Sequence, residues 1–174
     1  MRKALIHLNH ILIESLLDET MTVCDMTCGH GYDTEFIAPK VHHVFAFDIQ
    51  VHALTQTKQR LHALSNITYI HDTFEHVTQY VADAQLFIFN LGYLPRGDKS
   101  ITTKGTHTVQ TLDIINTHYP HATIIVMSYL GHPEGQKEYD AIQLWMAKQS
   151  TYKCIESELK FHEEAPHLLW IYPK

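Results

Sequence analysis

Gly29 and Gly31 stand one residue apart, after the short apolar run Val23-Cys24 and the acid Asp25, and before Tyr32-Asp33-Thr34. If the run is a strand and residues 34–39 open a helix, the glycines let the backbone bend sharply and approach a ligand at the helix N-terminus. Seventeen positions past Gly31, Asp48 closes a second apolar run, Val44-Phe45-Ala46-Phe47. An acid at that distance suits a ribose, because one carboxylate can accept from both hydroxyls of a diol. A plain turn and a surface acid would use the same residue types. Taken together, loop and acid read as the site of a nucleotide-type cofactor.

The elements that would position these residues alternate along the chain. Residues 4–17 place Leu5, Leu8, Leu12 and Leu16 on one helical face ahead of the first strand. Residues 51–64 read as a crossover helix leading to a strand at 67–70, which ends in His71-Asp72-Thr73. A short helix at 75–81 precedes residues 85–89, an apolar run suited to a strand buried on both faces. After it come Asn90-Leu91-Gly92-Tyr93-Leu94-Pro95 and Arg96-Gly97-Asp98-Lys99, a loop punctuated by glycine and proline. A helix over 106–118, a strand over 123–129, a loop at Gly131-His132-Pro133-Glu134-Gly135 and a helix over 139–148 follow. The last strands, 152–161 and 167–172, are separated by only five residues, too few for a parallel crossover, so they pair antiparallel at a sheet edge. The pattern is an open doubly wound α/β sheet, in which ligands sit beyond the carboxyl ends of the strands. That rule brings all of these loops to one rim.

Composition narrows the class. A chain of 174 residues, 45% apolar and 18% charged, reads as one globular domain spanning residues 1–174. His7, Asn9, His10 and Glu14 interrupt the apolar run a signal peptide would need, and no stretch has transmembrane length, so a cytoplasmic chain with no membrane partner is expected. Cys24, Cys28 and Cys154 form no even disulfide framework and read as reduced. The fifteen histidines are scattered without ligand spacing, so no metal is expected. A net charge of −6 gives no argument for nucleic acid; phosphate contacts would need local cations, and Arg96, Lys99 and Lys104 form one such group or an ordinary solvated loop.

The order of parts resembles a Rossmann-like class I S-adenosylmethionine-dependent methyltransferase, whose seven-stranded, mostly parallel sheet ends in an antiparallel hairpin. More closely, Asp25-Met26-Thr27-Cys28-Gly29-His30-Gly31-Tyr32-Asp33-Thr34, Phe45-Ala46-Phe47-Asp48-Ile49-Gln50, the 90–95 loop, Gly97-Asp98-Lys99-Ser100-Ile101-Thr102-Thr103 and the 131–135 loop resemble the YtqB-like rRNA methylase family. Members of that family include a tRNA methyltransferase that methylates the aminomethyl group of 5-aminomethyl-2-thiouridine at the wobble position. The resemblance implies S-adenosylmethionine as cofactor and the tRNA anticodon stem-loop as partner. It assigns Asp25, Thr27, Gly29, His30, Gly31, Asp33, Thr34, Asp48, Gln50, Asp72 and Thr73 to the cofactor. Asn90, Tyr93 and His132 fall at the reacting amine, and Leu91, Gly92, Pro95, Arg96, Asp98 and Lys99 at the substrate. Thr27 stands at the usual first glycine of the class I loop, His30 where the family has an Asn-like residue, and Arg96 where it usually has glycine.

Methyl transfer from a sulfonium is an in-line displacement, so an enzyme mainly aligns a lone pair and holds it close. An asparagine carbonyl and a backbone carbonyl can each accept one N–H of an amine and leave its lone pair free, and Asn90 is placed for this. The amine must also be neutral to attack. Tyr93, Asp98 and His132 are candidate proton acceptors, although a charged Asp98 would favour the ammonium, which leaves the acceptor open. Tyr93 suits stacking on a base or packing in a core. Methylation of an amine on ribosomal RNA or on a small molecule remains an alternative, as do a nicotinamide-dependent oxidoreductase and a non-catalytic cofactor- or RNA-binding module. A second copy of the chain, as a homodimer, would supply basic surface that an acidic chain lacks.

Overall fold

The computed structural model describes residues 2–92, 103–131, 133–159 and 165–174. Tyr93, Pro95, Arg96, Asp98, Lys99 and His132 therefore lie outside the described residues. Helix α1 (Arg2–Leu16) precedes β1 (Thr22–Asp25), followed by α2 (Tyr32–Ile37), β2 (His43–Asp48), α3 (Val51–Arg60) and β3 (Ile67–His71). The second half runs β4 (Leu86–Asn90), α4 (Gly105–His118), β5 (Thr123–Ser128), α5 (Pro133–Met146), β6 (Tyr152–Ser157) and β7 (His167–Pro173). The seven strands lie in the order β3-β2-β1-β4-β5-β7-β6, with β7 antiparallel to both its neighbours and the other pairs parallel. The chain reverses its direction of growth between β1 and β4, which is the crevice where such sheets bind ligands.

Strand alternation decides which side chains line that crevice. Phe87 and Phe89 pack with Leu112, Ile115 and Ile142 of α4 and α5, whereas Leu86 and Ile88 pack with Val23, Val44, Leu5, Ile13 and Ile37 on the face covered by α1 and α2. Burying each of these large side chains contributes about 1.5–3 kcal/mol. Asn90 shares its parity with Leu86 and Ile88, and Asp25 with Val23, so both belong to the α1/α2 face. Register adds a second effect. Asp25, the last residue of β1, pairs with Ala46 and with Ile88, so β2 and β4 each run two residues further, to Asp48 and Asn90. The central strand is short, and its end is the floor of a notch between two longer strands.

Some boundaries differ from the sequence reading. Helix α5 starts at Pro133 rather than 139, so Glu134 and Gly135 belong to the helix and not to a loop. Proline suits the first helical turn because its missing N–H has no partner to lose there. Helix α3 stops at Arg60, and two turn hydrogen bonds, Leu61 N to Thr57 O and Leu64 N to Leu61 O, carry the chain onward. The expected helix at 75–81 is a 3₁₀ turn over Phe74–Gln79. Among the described residues, no helix is long and apolar enough to cross a membrane.

Candidate active site

The loop after β1 is built to turn tightly at the notch. Gly29 and Gly31 both take positive φ, 51° and 69°, where side chains other than glycine are strained. Gly31 has a second constraint, since a Cβ there would lie 2.2 Å from Thr57 Cγ2. The Thr57 hydroxyl donates to the Gly29 carbonyl at 3.0 Å, so α3 clamps the loop from the side. Asp48 fastens it from the rim: Gly29 N donates to Oδ2 at 2.7 Å and Gln50 N to Oδ1 at 2.8 Å. Each Asp48 oxygen keeps a further lone pair, which is what acceptance from a diol needs.

Asp25 sits at the floor, fully buried, with the Thr34 hydroxyl donating to Oδ2 at 2.5 Å. Burial, reinforced by the negative charge of Asp33 and to a lesser degree Asp48, pushes its carboxyl up to about 7. Burial also raises the Asp48 carboxyl, against the two backbone donors that lower it. Three acids thus share one notch, and among the described residues none of them pairs with a lysine or arginine; Asp33 pairs with His10. Such a notch is unfavourable to leave empty of positive charge and suits a ligand carrying cationic groups beside a ribose.

Asn90 is held at both ends. Its backbone N–H donates to Thr27 Oγ1 at 2.7 Å, tying the end of β4 to the glycine loop. Its side-chain Nδ2 donates to Asp33 Oδ2. Because the Asp33 carboxylate accepts, the Asn90 amide presents its N–H end inward and leaves the carbonyl oxygen for another donor. One residue on, Leu91 is fully buried among the α4/α5-face core, so its side chain does not reach the rim, contrary to its expected substrate contact. Gly92, at φ 126°, returns to the rim and donates to Thr103 Oγ1 at 2.7 Å.

Residues 44–172 match the model of the family described as "Putative rRNA methylase". The chain belongs to this rRNA methylase family. The matched span opens at β2 and takes in Asp48, Asn90 and Gly92, while the glycine loop precedes it. Over 193 aligned residues, covering 99% of this chain and 70% of the relative, it is 27% identical to the chloroplastic tRNA (mnm(5)s(2)U34)-methyltransferase of Arabidopsis thaliana. A crystal structure from Clostridium thermocellum, described as a "putative rRNA-methylase", superposes with a TM-score of 0.90 at 30% identity, covering 97% of both chains. A protein from Streptococcus mutans described as "a putative methyltransferase", solved in complex with SAH, superposes with a TM-score of 0.87 at 28% identity, again over 97% of both.

Within this methylase, the remaining expected site residues divide. The Thr34 hydroxyl donates to Asp25, and the Thr27 hydroxyl oxygen accepts from the Asn90 backbone N–H, so both shape the notch from beneath, Thr27 with its own O–H still to donate. Asp72 is engaged at both oxygens: Thr73 N and His76 Nδ1 lie 2.7 and 3.0 Å from Oδ1, and Tyr80 OH donates to Oδ2 at 2.7 Å. The Tyr80 hydroxyl and these donors hold the Asp72 carboxyl below its ordinary range. The Thr73 hydroxyl donates to Glu75 at 2.9 Å. The His30 carbonyl accepts from Arg60 Nη2 at 2.5 Å, while Arg60 Nη1 pairs with Glu35.

Two residues of the rim's framework escape a reading of the sequence. His10, read only as a polar interruption of an apolar run, places Nε2 2.7 Å from Asp33 Oδ1. Glu138 is fully buried on α5, accepting from Thr103 at 2.7 Å and Thr108 at 2.6 Å. Thr103 in turn accepts from Gly92, so Glu138 braces the end of the β4 rim from behind. Neither lies in a motif; a lone polar residue on the apolar face of an amphipathic helix was the only signal either offered.

Proposed function

We propose that this methylase transfers a methyl group from S-adenosylmethionine to the exocyclic amine of 5-aminomethyl-2-thiouridine at the tRNA wobble position, giving 5-methylaminomethyl-2-thiouridine. When bound, S-adenosylmethionine supplies the electrophilic methyl group. Asp48 would hold its ribose, the Gly29–Gly31 turn would let the backbone approach it, and Asp25 and Asp33 would face its cationic end. The observation that carries the reading is the Asn90 amide, held by Asp33 through its N–H end, with no donor to its carbonyl oxygen among the described residues, beside an acid-lined notch. That oxygen accepts one N–H of an incoming amine, and a neighbouring backbone carbonyl accepts another, which leaves the lone pair available. The name of the Arabidopsis relative supports the same nucleoside. The anticodon stem-loop is the partner this reading requires, with Arg96, Lys99 and Lys104 as the local cations and a second copy of the chain as a source of further surface.

The family's description favours a second reading, methylation of an amine on ribosomal RNA. Mass spectrometry separates the two. Incubating the protein and S-adenosylmethionine with tRNA carrying 5-aminomethyl-2-thiouridine should add one methyl to that nucleoside alone. Methylation of ribosomal RNA with unchanged tRNA would overturn the proposal. In the same assay Asp48→Ala should weaken cofactor binding, while Asn90→Ala should leave SAH binding within about twofold and reduce turnover by at least about a hundredfold. Equal loss of binding in both variants would sink that division of roles.

A further inference from the structure

The amide of Asn90 can serve an amine only if its carbonyl end faces outward, and the two ends of an amide are nearly the same size. Sterics alone do not choose between them; hydrogen bonding does. The choice here belongs to Asp33, whose carboxylate would repel the Asn90 carbonyl and accepts its N–H instead. Yet Asp33 lies in the first turn of a helix of only six residues, and its carboxylate is itself free to rotate unless a second contact fixes it. That contact comes from α1. His10 Nε2 lies 2.7 Å from Asp33 Oδ1, leaving Oδ2 for Asn90. The His10 ring is fixed in its turn, stacked on Phe36 with centroids 4.2 Å apart and planes 9° from parallel. Helix α1 is anchored by Leu5 and Ile13, both in the core of the α1/α2 face.

We infer that His10 is a positioning residue for the methyl transfer: through Asp33 it fixes the Asn90 amide with its carbonyl oxygen toward the substrate. The chain of contacts runs from Phe36 and His10 to Asp33 to Asn90, and crosses from α1 through α2 to the end of β4. Nε2 carries the proton in this arrangement, since a carboxylate oxygen only accepts. His10 touches neither substrate nor cofactor in this role. The inference rests on the proposal that Asn90 meets the target amine, and its test is arranged so that the two can fail separately.

The first readout needs no turnover. In protein labelled with ¹⁵N-asparagine, the Asn90 side-chain NH₂ signals are identified by their loss in Asn90→Ala. His10→Ala should move them toward the positions of a solvent-exposed amide, and His10→Gln, which can still donate to Asp33, should leave them close to wild type. The second readout is kinetic. His10→Ala should lower kcat about tenfold with the SAH dissociation constant within about twofold, and His10→Gln should recover most of that loss. His7→Ala, an exposed substitution on the same helix, should change neither. Unmoved Asn90 signals in His10→Ala would overturn the inference, as would a loss of kcat that merely tracks a loss of SAH binding or of melting temperature. If wild-type protein leaves the wobble nucleoside unmethylated, the functional proposal falls, and the amide signals still decide whether His10 orients Asn90.

Discussion

On the proposed reading of the notch as the cofactor site, Asp25 makes binding there proton-linked. Its carboxyl, pushed up to about 7 by burial and by the charges of Asp33 and Asp48, is mostly protonated in mildly acidic solution. A ligand whose cationic end faces these acids favours the ionised form, so binding must expel the proton. If the bound ligand lowers the Asp25 pKa by two units or more, binding should release about 0.8–0.9 proton at pH 6, about half a proton at pH 7 and about 0.1 at pH 8. The same linkage makes affinity rise about tenfold between pH 6 and pH 8, with most of the gain below pH 7.

Isothermal calorimetry of SAH binding in two buffers of different ionisation enthalpy measures this release directly, because the observed heat differs by the number of protons times the enthalpy difference. Asp25→Asn, which keeps an acceptor for the Thr34 hydroxyl, should bind SAH with no release attributable to that site. Persistent release in Asp25→Asn, or none in wild type at pH 6, would refute the reasoning. Stability gives an independent check with its own sign. The native acid holds its proton up to about pH 7, whereas the unfolded one loses it near pH 4, so between them the native state binds more protons and stability falls as pH rises. Over that window the fall from this one group is about 4 kcal/mol, and Asp25→Asn should remove it.

Gly31→Ala should destabilise by about 2–4 kcal/mol, combining roughly 1 for the left-handed backbone with overpacking against the Thr57 methyl. Thr57→Ser removes that methyl and keeps the hydroxyl, so urea denaturation of the double variant should show at least about 1 kcal/mol less loss than the sum of the singles. Strict additivity would show that the methyl is not what Gly31 avoids. Glu138→Ala strands the buried hydroxyl of Thr108 and the half-buried one of Thr103 and should cost about 2–4 kcal/mol, read from the same denaturation curves. Burial raises the Glu138 carboxyl, so its contribution to stability falls as pH rises, and a wild-type minus Glu138→Ala difference that grew with pH would contradict its burial.

Much of the frame was legible because it is written in local patterns. The apolar run before Asn90 suited a strand buried on both faces, which β4 is, and the five residues between the last strands left only an antiparallel pairing. Asp48 was singled out by its distance from the glycines as a partner for a ribose, and the structure puts its carboxylate on the Gly29 backbone. What was not legible depends on which way side chains face across the sheet. Leu91 sits beside Asn90 in the motif, but alternation turns it into the opposite core. His10 is 23 residues from Asp33, and Glu138 is 35 from Thr103; such pairs form only when helices from distant parts of the chain close over the same strand ends. Pro133 misled in the other direction, since a glycine- and proline-rich stretch reads as a loop until proline is seen to start the helix.

The position of the acids follows from the register, and the chemistry follows from the acids. Because β1 ends two residues before its neighbours, its terminal Asp25 is roofed by the glycine loop and cut off from water, while Asp48 and Asn90 stand at the lips of the notch. A buried acid with two others nearby is destabilising in its charged form, and no arginine or lysine among the described residues relieves it. On the proposed cofactor reading, a cation bound in the notch would relieve it through space, so that binding would offset the fold's electrostatic cost. Asn90 profits from the same arrangement, since Asp33 aligns its amide at the place where the notch opens. An Asn90→Asp change should therefore be worse than Asn90→Ala for SAH binding as well as turnover, because it adds a further carboxylate against Asp33; measured by calorimetry at pH 8, an Asp variant that bound as well as Ala would show that the notch tolerates charge that this account says it cannot.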